Sequence, residues 1–122
     1  MIYWFLVFLG GGAGSVCRYF LAQKLNYSGQ EYMNFPIGTI LANVLSCFIL
    51  GVLIQKQLNH QLSEHYRLLL ATGFCGGFST FSTFGYEIYT YMQKDQLLLG
   101  AGYVSLSLLA GVLALIAGMK LI

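Results

Sequence analysis

Four long apolar stretches, divided by short polar connectors, constrain this chain more than any other feature. They run from about residue 2 to 21, 36 to 55, 66 to 91 and 97 to 119. Each is near the ~20 residues that an α-helix needs to cross a bilayer core. The expected fold is an all-α membrane protein, a single four-helix transmembrane domain over residues 1–122 with no room for a soluble domain. Composition agrees: 57% of residues are hydrophobic and only 8% charged, against roughly 25% charged in a soluble globule. Six basic and four acidic residues leave a net charge of +2, which builds no basic patch and excludes nucleic acid as a partner.

The punctuation between the stretches is simple. No Lys or Arg precedes the opening run Met1 to Leu9 and no A-x-A site follows it, so it is expected as a mature span and not a removable signal. Gln23, Lys24, Asn26 and Ser28-Gly29 close the first stretch, and a polar loop runs to Asn34. Pro36, the only proline, suits the first position of the second helix because its missing N–H is not needed there. Gln55 through Glu64 reads as a polar connector with His65 nearby, and His60 and His65, which lack a third metal ligand, are expected in a solvated loop. Lys94-Asp95 marks a tight turn before the fourth span, which Lys120 ends. Cys17, Cys47 and Cys75 are odd in number and lie in apolar surroundings, so packing is their expected role. Gly14-Ser15-Val16 before Cys17 makes a poor lipoprotein site.

The third stretch breaks the pattern. At its centre stand Gly76-Gly77, and Ser79, Thr80, Ser82 and Thr83 follow at once, interleaved with Phe78, Phe81 and Phe84. Glycine costs ~1 kcal/mol relative to alanine in a helix interior. The third helix is therefore expected to be broken at its centre, and irregular backbone at membrane depth must be buried in protein or line a polar cavity. Gly10 with Gly14 and Gly73 with Gly77 are small-xxx-small pairs suited to close helix packing. Gly10-Gly11-Gly12 superficially resembles a phosphate loop, but no strand precedes it and no GK[ST] follows.

No Ser-His-Asp, Cys-His or paired-carboxylate set can be assembled, so no enzyme is expected. What remains is a polar line: Thr39 and Asn43, four apart on one helix face, with Ser46 three further on, opposite the hydroxyls of the third span. One reading is helix-to-helix hydrogen bonding, worth roughly 0.6 kcal/mol per contact. The other is a path for a small anion, because hydroxyls and an amide donate and a phenyl rim is electropositive. A half-helix starting after the break adds its positive end. Arg18 and Glu87 are the charges inside spans, each a functional candidate by default, with Arg18 also able to snorkel to the surface.

These residues resemble the motifs of the Fluc (CrcB) fluoride channels. GGxxGAxxR plus an aromatic is matched by Gly10, Gly11, Gly14, Arg18 and Tyr19, with Ser15 for Ala. GTLxxNxxGxFxxG is matched by Gly38, Thr39, Asn43, Phe48 and Gly51, with Ile40 for Leu and Ser46 for Gly. The third motif, GfcGGxTTFSTF, is matched by Gly73, Gly76, Gly77, Thr80, Phe81, Ser82, Thr83 and Phe84, with Ser79 for Thr. The resemblance implies a dual-topology homodimer of antiparallel subunits in the bilayer, multi-pass in the cytoplasmic membrane, exporting fluoride passively. It implies that Asn43 and the rings of Phe81 and Phe84 contact fluoride, that Ser82 and Thr83 continue the track, and that Na+ sits at the dimer centre on the Gly76 and Ser79 carbonyls.

Two other classes remain open at this point. A small multidrug exporter has similar length and span count but a buried acid in its first span, where this chain has Arg18. A structural subunit of a membrane complex needs no polar track. The charge count favours dual insertion independently of the resemblance: Lys56, Arg67 and Lys120 fall on one side, and Lys24, Lys94 and an outward Arg18 on the other.

Overall fold

The computed structural model describes residues 1–26 and 36–121. The expected Ser28-Gly29 turn and the loop to Asn34 lie outside these. Among the described residues every regular element is helical, and four helices are long and apolar enough to cross a membrane: Ile2–Leu25, Ile37–Leu58, Glu64–Gln93 and Leu97–Lys120. The elements are α1 (Ile2–Leu21, continued by a wider turn over Ala22–Asn26), α2 (Ile37–Leu58), α3 (64–78), α4 (Ser82–Gln93) and α5 (Leu97–Lys120). Within α3, Arg67–Cys75 runs with the wider i→i+5 repeat.

Helix starts follow local chemistry. Pro36 is the cap residue, one position earlier than expected: at ψ 75 its own backbone is not helical, while its carbonyl accepts the Ile40 N–H at 3.1 Å. Ser63, extended, accepts the Tyr66 N–H on its hydroxyl at 3.3 Å and opens α3. The expected connector is shorter than Gln55 to Glu64, because α2 continues to Leu58 before His60 turns the chain at φ 58. Asp95 makes the other left-handed turn, at φ 56, and Gln96 N–H closes it on the Tyr91 carbonyl at 2.8 Å.

Two glycine-mediated contacts assemble the bundle. A Cβ on Gly10 would overlap the Leu69 carbonyl, one on Gly14 the Phe74 carbonyl, and one on Gly77 the Gly11 carbonyl. The small pairs of α1 and α3 thus pack against each other, backbone on backbone. Between α2 and α5 the same device recurs, with Gly51 against the Leu115 carbonyl and Gly118 against that of Phe48. Cys75 is buried, Cys47 half-buried and Cys17 exposed, and all three are free thiols.

Candidate functional site

The polar face of α2 meets the third span at three levels. Ser46 Oγ donates to the Cys75 carbonyl at 3.1 Å. Asn43 Oδ1 accepts the Thr80 N–H at 2.9 Å, and Thr39 Oγ1 donates to Glu87 Oε2 at 3.1 Å. As numbers rise along α2 they fall along the third span, so the two run antiparallel.

Between the Cys75 and Glu87 levels the backbone leaves the helix. Gly76 is still helical (φ −63, ψ −37), whereas Ser79 is extended (φ −81, ψ 158), and helix resumes at Ser82. The glycine pair is therefore not the point of departure. Gly77 serves the close approach to Gly11, while Ser79 and Thr80 carry hydroxyls that compete with backbone pairing. Ser79 Oγ donates to the Cys75 carbonyl at 2.8 Å. Thr80 Oγ1 accepts the Thr83 N–H at 3.3 Å and lies 3.4 Å from Ser82 Oγ, capping the start of α4.

This geometry redirects two donors. In an unbroken helix the Gly76 carbonyl would accept from Thr80 and that of Ser79 from Thr83. Those N–H groups go instead to Asn43 and to the Thr80 hydroxyl. The neighbouring Gly77 carbonyl accepts from Arg18 Nε at 3.1 Å. Arg18, half-buried, thus holds the end of α3 and does not extend to the surface.

The rings continue the line. Phe81 is 84% exposed and its ring lies 6.2 Å from that of Phe84, tilted by 51°. Phe84 in turn lies 5.1 Å from Tyr103 on α5. The Tyr103 hydroxyl donates to Glu87 Oε1 at 2.8 Å, so both oxygens of this intramembrane acid accept hydrogen bonds. Asn43, Phe81, Phe84, Glu87 and Thr39 therefore belong to one connected string, with Ser82 and Thr83 at the first turn of α4 beside it. Gly76 and Ser82 are exposed on the single chain and Ser79 is half-buried.

Tyr103, fully buried, is the member that sequence reasoning missed. It is the one aromatic residue of the fourth span, and that was the available signal. Ser107, one turn on, has a buried hydroxyl with no hydrogen-bond partner among the described residues. No group of three His, Cys, Asp or Glu side chains among the described residues could hold a metal ion. Any cation here would rest on backbone and hydroxyl oxygen, which suits a hard monovalent ion better than zinc or copper.

Known proteins are similar to this chain over nearly its whole length. Residues 5–119 match the family described as CrcB-like protein, Camphor Resistance (CrcB). The chain is 41% identical over 117 residues to the fluoride-specific ion channel FluC of Gloeothece citriformis, covering 96% of this chain and 94% of that protein. It is 42% identical over 117 residues to the FluC of Prosthecochloris aestuarii, covering 95% and 89%. To that of Pyrococcus furiosus it is 43% identical over 112 residues, covering 91% and 85%.

Proposed function

The chain belongs to the CrcB family, and from that premise we propose that it is a fluoride-selective channel, not an enzyme, through which fluoride leaves the cytoplasm passively. The observation that carries the mechanism is the Asn43 hydrogen bond. With Oδ1 taken by the Thr80 N–H, the amide orientation is fixed and its NH2 group is left as the donor for an anion. The edges of Phe81 and Phe84 offer electropositive rims beside it, and the first turn of α4, with Ser82 and Thr83, adds hydroxyls and a positive helix end. Together these replace the water of a small anion without a bare positive charge that would trap it.

The proposal includes a second copy of the chain. Gly76, Phe81, Ser82 and Tyr86 are exposed on a membrane-embedded surface, and a four-helix bundle of this size is too thin to enclose a polar path. An antiparallel homodimer with its two-fold axis in the membrane plane would cover that face with itself. The Gly76 and Ser79 carbonyls, their helical donors redirected, would then approach their symmetry mates. Na+ between them would supply the positive charge that uncompensated carbonyl oxygens call for in lipid. The cell membrane is the proposed location.

Fluoride efflux from liposomes holding the purified chain tests the reading. Fluoride release with chloride retained is expected. Equal loss of both ions, or none from folded protein, would overturn it.

A further inference from the structure

At the end of α3, capped and open carbonyls alternate. The Cys75 carbonyl accepts from Ser46 Oγ, Ser79 Oγ and Ser79 N–H. Gly76 has lost its helical donor to Asn43, and a Cβ placed on Gly76 would meet nothing within 4 Å. The Gly77 carbonyl is held by Arg18. One guanidinium, brought from 59 positions away, thus stands one peptide unit from the open carbonyl.

We propose that Arg18 determines which ions the central cation site accepts, acting as a positioning residue that restricts the site to a single positive charge. This rests on the cation reading above. Two effects act in the same direction. By occupying the Gly77 carbonyl, Arg18 removes an oxygen from the set available to an ion, whereas calcium takes six to eight. Its fixed charge also repels a cation on Gly76 in proportion to that cation's charge, and the cost of taking an ion out of water rises more steeply still with charge. Among the described residues no carboxylate is hydrogen-bonded at this end of α3: Glu87 is bound to Thr39 and Tyr103, Glu64 to Arg67 at 2.6 Å, and Asp95 lies in the turn before α5.

The test is thermal unfolding of the purified full-length chain in detergent, without fluoride so that calcium stays soluble, in N-methylglucamine chloride with added Na+ or Ca2+. Wild-type protein should gain several degrees from Na+ and none from Ca2+. Arg18→Gln, which removes the charge, should lose the preference by roughly tenfold in half-saturating concentration and gain stability from Ca2+. Arg18→Lys, which keeps the charge, should retain the Na+ preference. A Gln variant with the wild-type preference overturns the proposal. So does a Lys variant that Ca2+ stabilises, and this second arm decides the matter if the Gln variant does not fold. Wild-type protein whose unfolding ignores Na+ overturns the cation reading itself, a different result from either variant outcome.

Discussion

Asn43 Oδ1 and the Thr80 N–H, 2.9 Å apart, tie the second span to the non-helical link between Phe78 and Ser82 of the third. One side chain therefore has two separable tasks, capping with its oxygen and donating with its nitrogen. Asn43→Asp keeps the acceptor but loses the donor and adds a charge that repels anions. Asn43→Ala leaves the Thr80 N–H without its acceptor, at about 1–3 kcal/mol. The two variants should rank oppositely: the Asp variant unfolds at the higher temperature, and the Ala variant passes more fluoride. The same ranking in both assays would reduce Asn43 to a structural cap.

Phe81→Ile and Phe84→Ile should each cut fluoride flux at least tenfold, because an aliphatic chain keeps bulk and loses the ring quadrupole. Their stabilities should differ. Phe81 is exposed on the single chain, whereas Phe84 packs on Tyr103, so Phe84→Ile should lower the unfolding temperature more than Phe81→Ile. A flux at the wild-type level in either variant would make that ring packing alone.

Much of this arrangement was legible in the sequence, at the level of which residues and not which partners. The four apolar runs give four helices because lipid leaves the backbone little else. Thr39, Asn43 and Ser46 share a face by spacing, but that the face meets Glu87, Thr80 and Cys75 depends on the antiparallel register of two helices far apart in sequence. Arg18 stood out as a charge in a span. Its acceptor, the Gly77 carbonyl, is backbone and leaves no trace in residue identity. Gly76-Gly77 pointed to the interruption, yet the chain stays helical through both. Contact with α1 offsets the ~1 kcal/mol propensity cost of Gly77. Tyr103 was missed because a lone aromatic in an apolar span resembles ordinary packing.

The backbone contact between α1 and α3 makes its glycines irreplaceable in a graded way. A methyl group on Gly14 or Gly77 would overlap carbonyl oxygen, so Gly14→Ala and Gly77→Ala should each destabilise by about 3 kcal/mol or more. A methyl group on Gly12 would meet nothing within 4 Å, and Gly12→Ala should be neutral or stabilise by up to ~1 kcal/mol. Unfolding of the three variants in a denaturing detergent checks the order.

Tyr103→Phe keeps the ring against Phe84 and removes the proton given to Glu87. One oxygen of a half-buried acid then lacks its donor, at a cost of about 1 kcal/mol. Glu87→Gln should restore part of that loss in the double variant, because a neutral amide tolerates a missing donor better than a carboxylate. A double variant whose loss equals the sum of the two single effects would show that the pair does not act together.

Topology offers a test that needs no transport assay. With four spans, Lys56, Arg67 and Lys120 share one side of the membrane, and Lys24 and Lys94 lie on the other. Arg18, held at Gly77, no longer counts for either, so the balance is three against two and not the even split an outward Arg18 would give. A margin of one charge is small for the positive-inside rule, which follows the Lys and Arg bias of short connections. Both orientations should therefore occur in cells, with some excess of the form whose C-terminus is cytoplasmic. A C-terminal tag should be labelled from both sides of the membrane, less from outside. Four lysines added beside Lys94, a margin of three the other way, should invert that ratio and abolish fluoride efflux. Co-expression with a chain biased the other way, by two lysines beside Lys56, should restore it, because only the mixture can form antiparallel pairs. Labelling from one side alone, or full efflux from either biased chain by itself, would defeat the antiparallel dimer while leaving the four-helix fold intact.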